Sequence, residues 1–238
     1  MAEVYRRSTD GGARSERFGA YVDAARDRRP VGGYNPMTSK PVLPTIESLL
    51  AIDAEARLAD VARRTAERVG FDGDAVVHLT VATPGMWTDR LATEVHHRLT
   101  AAADPAEVLW WFDQRVDAAG FDAAVVAQTW RLITDRRHGR PVTLADAVAQ
   151  EGTALALAGD PGRLDAVAAD ALDVLGDDEG LPTMVAFLYG DDAARAMGFT
   201  PIGLGDHVGY RHATALAHAT RTEPGRSTAG SRGGGHGA

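Results

Sequence analysis

The chain has 238 residues and a mass of 25.2 kDa, with 45% hydrophobic and 24% charged residues, which excludes a wholly disordered, collagen-like or membrane-embedded protein. A formal net charge of −8 and a pI near 5.4 argue against a nucleic-acid binder. The absence of cysteine excludes disulfides, thiolate nucleophiles and Cys-ligated metal.

No apolar run approaches the roughly 20 residues that span a bilayer, and no amino-terminal stretch has the pattern of a signal peptide, so no membrane partner and a cytoplasmic location are expected. Among the 25 basic residues only Lys40 is a lysine. This bias fits a high-GC genome of the actinobacterial kind.

Residues 1–44 read as an irregular arm. A short helix is expected at Phe18, Tyr21 and Val22, followed by a Gly- and Pro-rich connector through Pro44. Thr45 is expected to cap a helix that carries Ile46, Leu49, Leu58 and Val61 and closes at Gly70. Residues 75–82 alternate apolar and polar side chains, the period of a strand. Leu91, Val95 and Leu99 define the buried stripe of a helix that also carries Glu94 and His97. Asp104-Pro105-Ala106-Glu107 has the form of a capped helix start, predicting a helix through Val116. Asp122 is expected to cap the next helix, ending at His138-Gly139. Thr143 with Asp146 predicts another, bent or split at Gly152. Asp160-Pro161 predicts one more, ending near Gly176. Residues 183–189 fit either a strand or a buried helical turn. A final helix is expected from Asp206 or His207 to about Thr220, ahead of a polar tail at 221–238. The fold class expected is mainly α, one helical domain at 45–220 with one or two short strands and flexible arms.

Several groupings of residues carry chemistry. Glu94 and His97 have the Glu-x-x-His spacing of helical carboxylate metal sites. At about 100° per residue, however, His97 lies nearly opposite the buried stripe, so no metal is expected there, and a non-haem metal enzyme is the alternative reading. Trp110 and Trp111 fall outside the core stripe of their expected helix, which points to a ligand groove or a partner face. Asp113 is expected at that rim as an acid–base group, and Arg115 as a binder of the substrate anion. On the last helix His207 and Arg211 share a face with His218, placing a proton-transfer group beside a guanidinium. The loop 34–40 gathers Tyr34 and Lys40, which suit an anionic group.

Residues 193–203 are locally similar to the closing helix-to-strand turn of GNAT acetyltransferases. The similarity is confined to that turn, and the acyl-CoA pyrophosphate loop of that family is absent upstream. The expected function is cofactor-free acid–base, elimination or cyclisation chemistry on a small anionic substrate, in a biosynthetic enzyme of specialised metabolism. The expected catalytic residues are Asp113 and His207, and the expected binding residues are Arg115, Arg211, Lys40, Tyr34, Trp110 and Trp111. The alternative is a subunit of a homo- or hetero-oligomer that binds its partner through the Trp110/Trp111 face.

Overall fold

The computed structural model describes residues 42–83, 89–101 and 105–222, together with Gly19 and Val22. The loop with Tyr34 and Lys40, the aromatic residues Phe18 and Tyr21, and residues 223–238 lie outside the described residues. The fold is mainly α. Helix α1 (Leu43–Ala51) leads into α2 (Ala54–Arg68), then β1 (Val77–Ala82), α3 (Arg90–Val95), a π-helical turn (His96–Thr100) and β2 (Ala106–Trp111). Next come α4 (Ala118–His138), α5 (Leu144–Leu157), α6 (Ala166–Leu175), α7 (Leu181–Leu188) and α8 (Asp191–Ala196); α9 (Val208–Thr222) closes the order. Among the described residues no helix is long and apolar enough to cross a membrane.

Within the expected helix over 104–116, residues 106–111 form a strand and residues 112–116 follow as turn and coil. β2 pairs in parallel with β1, with Val77 opposite Ala106 and Ala82 opposite Trp111. Parallel neighbours need a crossover, and α3 with the π turn supplies it. The residue types agree with the outcome, since Val108, Trp110 and Trp111 favour a pleated surface over a helix. Glu107, read as a capping residue, is instead held by the Thr80 hydroxyl, which donates to its Oε1 at 2.6 Å.

Other boundaries shift for local reasons. The helix expected over 45–70 breaks at Asp53, whose left-handed backbone (φ 51°) separates α1 from α2. Asp122 lies inside α4, and its carboxylate accepts from Arg57 at 2.8 Å, while Asp117 is the true cap and accepts from the Gly120 amide. Asp165, not Asp160, caps α6. Thr143 and Asp146 form the expected reciprocal capping box of α5. Residues 183–189 fall within and just after α7, whose start is shaped by Pro182. No strand follows α8; its Asp191 carboxylate accepts from the amides of Ile202 and Gly203 and folds the chain into a loop.

A small apolar cluster around Val42 and Ile46 and two larger ones fill the interior of the described residues. One joins Val108 and Trp110 of β2 to Phe121 and Val125 of α4 and to Val61 of α2. The other joins Leu144 and Val148 of α5, Phe187 and Leu188 of α7, Tyr210 and Ala213 of α9, and Val95 and Leu99 of the crossover. Gly152 neither bends nor splits α5. It lets α9 approach, because a Cβ there would lie 2.2 Å from the Ala213 carbonyl oxygen. Gly152→Ala is expected to push these helices apart at a cost of about 1–3 kcal/mol. A fall of several degrees in the thermal midpoint, read by circular dichroism, checks this.

Candidate functional site

A cavity of about 750 Å³ opens between the sheet and the α5–α9 side of the molecule. That volume lies within the range of small-ligand sites. The pleat of β2 provides one wall. Alternate side chains of a strand point to opposite faces, so Trp110 enters the core beside Phe121 while Glu107, Leu109 and Trp111 line the cavity. α4 contributes Ala124, Ala127, Gln128 and Arg131, the end of α5 contributes Leu155, and Tyr189, His207, Tyr210 and Arg211 complete the far side.

The crossover brings Arg90, Glu94, His97 and Arg98 to the same space. A wheel at about 100° per residue sends His97 to solvent, but the chain leaves α-helical geometry after Val95. The Ala101 amide donates to the His96 carbonyl at 2.6 Å, an i to i+5 bond that widens the turn and rotates the following side chains. His97 is therefore only 17% exposed, and its Nδ1 stands 3.4 Å from Oε2 of Glu107. With Nδ1 facing the carboxylate, Nε2 is the nitrogen left for another partner. Burial pushes the His97 imidazole below its ordinary range; Glu107 opposes this and His96 adds to it. The ring is thus neutral at pH 7, the form that accepts a proton.

Behind this pair lies a buried charge cluster. Arg131 donates to both oxygens of Glu151, at 2.5 and 2.7 Å, and joins α4 to α5. Burial alone would raise the Glu151 carboxyl, but the charge and hydrogen bonds of Arg131, with Arg98 further off, hold it below the usual carboxylate range. Arg98 lies over the Tyr210 ring at 5.4 Å. Burial disfavours its charge, the Glu151 carboxylate favours it, and Arg98 remains a cation. Tyr189 and Tyr210 meet edge to face at 5.1 Å, and burial raises both phenols, so both are neutral at physiological pH.

His207 reaches the cavity through an irregular backbone. Its φ is 52°, its amide donates to the Tyr189 carbonyl at 3.3 Å, and its ring lies 5.8 Å from both Tyr189 and Tyr210. Gly190 (φ 93°) permits this closure, since a Cβ there would lie 2.5 Å from the Gly205 carbonyl oxygen.

Of the residues singled out from sequence, the structure brings Trp111, His207 and Arg211 to the cavity, together with Glu94 and His97 of the alternative metal reading. Glu94 is engaged by Arg90 at 2.8 Å and His97 by Glu107, and among the described residues no three His, Asp or Glu side chains gather as a metal-ligand set. Trp110 is a core residue, 1% exposed, and Trp111 is 3% exposed beneath Arg90, so the pair offers no outer face to a partner. Asp113 is exposed and faces Arg90 at 3.4 Å, and Arg115 is also exposed; neither is part of the lining. Only a helix that does not form would place them at a groove. Glu107, Arg98, Arg131, Tyr189 and Tyr210 are site residues that the sequence pattern does not single out. The one sequence signal for them is the strand preference of 106–111, which places Glu107 and Trp111 on one face.

Glu151→Gln is expected to weaken folding by about 3–5 kcal/mol, because it strands a buried guanidinium. Glu151 has a depressed carboxyl in the folded state, so its stabilisation is complete above the ordinary glutamate range and is lost as pH falls through the folded value. Urea unfolding at pH 7 and pH 4 is therefore expected to show a smaller acid-induced loss in the variant than in the wild type. His97 is expected to titrate below the ordinary histidine range by NMR, and Glu107→Gln to move it lower still, since Glu107 is the group that raises it.

Comparison with protein-family models, curated proteins and solved structures finds no match for this chain.

Proposed function

We propose that the protein is an enzyme performing cofactor-free acid–base chemistry on a small anionic organic substrate, with His97 as the proton-transfer group. The observation that carries this reading is the chain from Thr80 to Glu107 to His97 on the cavity wall. A hydroxyl holds the carboxylate, the carboxylate orients the imidazole, and a neutral ring is left with one nitrogen for the substrate. A positioned general base contributes about 10²–10⁴-fold to a proton transfer. The guanidinium of Arg98, which lines the cavity, favours a substrate that bears negative charge.

In an elimination, His97 Nε2 takes the proton from carbon. The C–H electron pair becomes the new double bond, and the leaving group departs with its own pair. The proton then passes from Nε2 to the leaving group or to water. In a cyclisation the same electron pair closes the new ring bond onto an electrophilic carbon, the π pair displaced there moves to its oxygen, and the proton held on Nε2 passes to that oxygen. His207 and Arg211 also line the cavity and offer a second donor to a departing or developing charge. Asp113 has no part in this scheme.

Incubating the protein in D₂O with a panel of organic acids that carry an acidified C–H tests the reading at the level of the reaction, whichever acid the cavity takes. Proton abstraction replaces that hydrogen by deuterium, seen by NMR and mass spectrometry. The expected result is exchange into at least one acid, reduced by about 10²-fold or more in His97→Gln. Absence of any His97-dependent exchange across the panel overturns the proposal.

A further inference from the structure

We infer that Arg98 anchors a monoanion subsite within the cavity, built for the carboxylate of an amphipathic organic acid and not for a phosphate. The inference rests on the small-anion reading of the cavity and names the class of anion.

The argument is one of charge balance. Arg131 and Glu151 neutralise each other through two hydrogen bonds, and the Arg131 side chain is 8% and the Glu151 side chain 1% exposed. Arg98 adds a second guanidinium to this cluster. Glu151 is the carboxylate whose field acts on it most, and that carboxylate is already gripped by Arg131. Tyr189 and Tyr210 are 2% and 5% exposed, and among the described residues their hydroxyls have no well-formed hydrogen-bond partner. As neutral phenols they cancel no charge. The cluster therefore carries one uncompensated positive charge, and Arg98 meets the cavity, where a ligand reaches it.

One negative charge balances that cluster. A carboxylate supplies it and matches the planar guanidinium fork with two oxygens. A phosphate monoester, with close to two negative charges above pH 7, leaves an extra anion next to Glu151 in a setting that screens it poorly. The other charges around the cavity do not alter this count at Arg98. Arg90 is paired with Glu94, Glu107 keeps its negative charge on the β2 wall, where it acts on His97, and Arg211 and Asp160 are exposed. The remaining lining sets the rest of the ligand. Leu109, Trp111, Leu155, Ala124 and Ala127 form apolar wall, which suits a hydrocarbon or aromatic body attached to the carboxylate.

The test uses three probes of one shape at pH 8: 3-phenylpropanoate, 3-phenylpropanamide and 2-phenylethyl phosphate. Binding to the full chain is followed by titration calorimetry and by NMR shifts. The expected result is that the carboxylate binds at least tenfold more tightly than the amide or the phosphate, and that Arg98→Gln removes this preference. Arg98→Lys keeps the charge without the fork, and is expected to retain the fold by circular dichroism while weakening the carboxylate several-fold; it serves if Arg98→Gln does not fold. Binding of 3-phenylpropanoate by the wild type, with no His97-dependent deuterium exchange into any acid of the panel, overturns the proposed chemistry and leaves the subsite standing. Equal binding of acid and amide, tighter binding of the phosphate, or no binding of the carboxylate overturns the subsite.

Discussion

The buried ion pair between Arg131 and Glu151 is the constraint on which the rest of the structure turns. A carboxylate with 1% of its side chain exposed is tolerable only where its charge is matched and its lone pairs are filled, and the arginine fork does both. The pair fixes α4 to α5 at one height along both helices. α4 also carries Phe121 and Val125 into the core beneath β2, while α5 carries Gly152 against α9. A shift at the ion pair is therefore transmitted to the sheet on one side and to Tyr210 on the other. The cavity lies between the two bodies that this link holds together, and its shape follows from the link.

Around that cavity the backbone departs from regular geometry. The π turn after Val95 rotates His97 and Arg98 inward, and the left-handed His207 brings a second imidazole to the Tyr189 and Tyr210 rings. Irregular turns of both kinds cost free energy relative to a straight helix or an extended residue, and they collect where side chains must be aimed at a ligand. Here both are braced from outside. Arg140 donates to the carbonyls of Leu99 and Thr100 at the end of the π turn, and the Asp191 carboxylate holds the loop that leads to His207.

The cavity thus has two chemically distinct neighbours on one turn. Thr80 donates to Glu107, and Glu107 faces Nδ1 of His97 at 3.4 Å. Arg98, with Arg131 and Glu151 behind it, forms a region of single positive charge. An acid–base group and an anion anchor that come from adjacent residues of one turn keep a fixed mutual distance, since no hinge lies between them. That arrangement suits a substrate whose reacting carbon is a few bonds from its carboxylate.

Much of the fold is legible in the sequence because its determinants are local. The capping box at Thr143 and Asp146 and the alternation over 75–82 involve residues within a few positions of one another; the box forms as expected, the strand occupies 77–82, and the last helix, Val208–Thr222, lies within two residues of its expected bounds. The helix expected at 104–116 fails because a strand is completed by a distant partner. The pairing of Ala106–Trp111 with Val77–Ala82 supplies hydrogen bonds that outweigh a local start signal, and it sends the two tryptophans to opposite faces. The site is less legible. The spacing to Glu94 singles out His97, but a uniform angle per residue contains no π turn and so points the ring to solvent. Glu107, Arg98 and Glu151 lie far apart in sequence, and each reads alone as an ordinary surface charge. The sequence by itself determined the helical class, one capping box and one strand. Tertiary structure alone decided which charges are buried together, because burial and charge balance belong to the assembled packing and not to any segment of the chain.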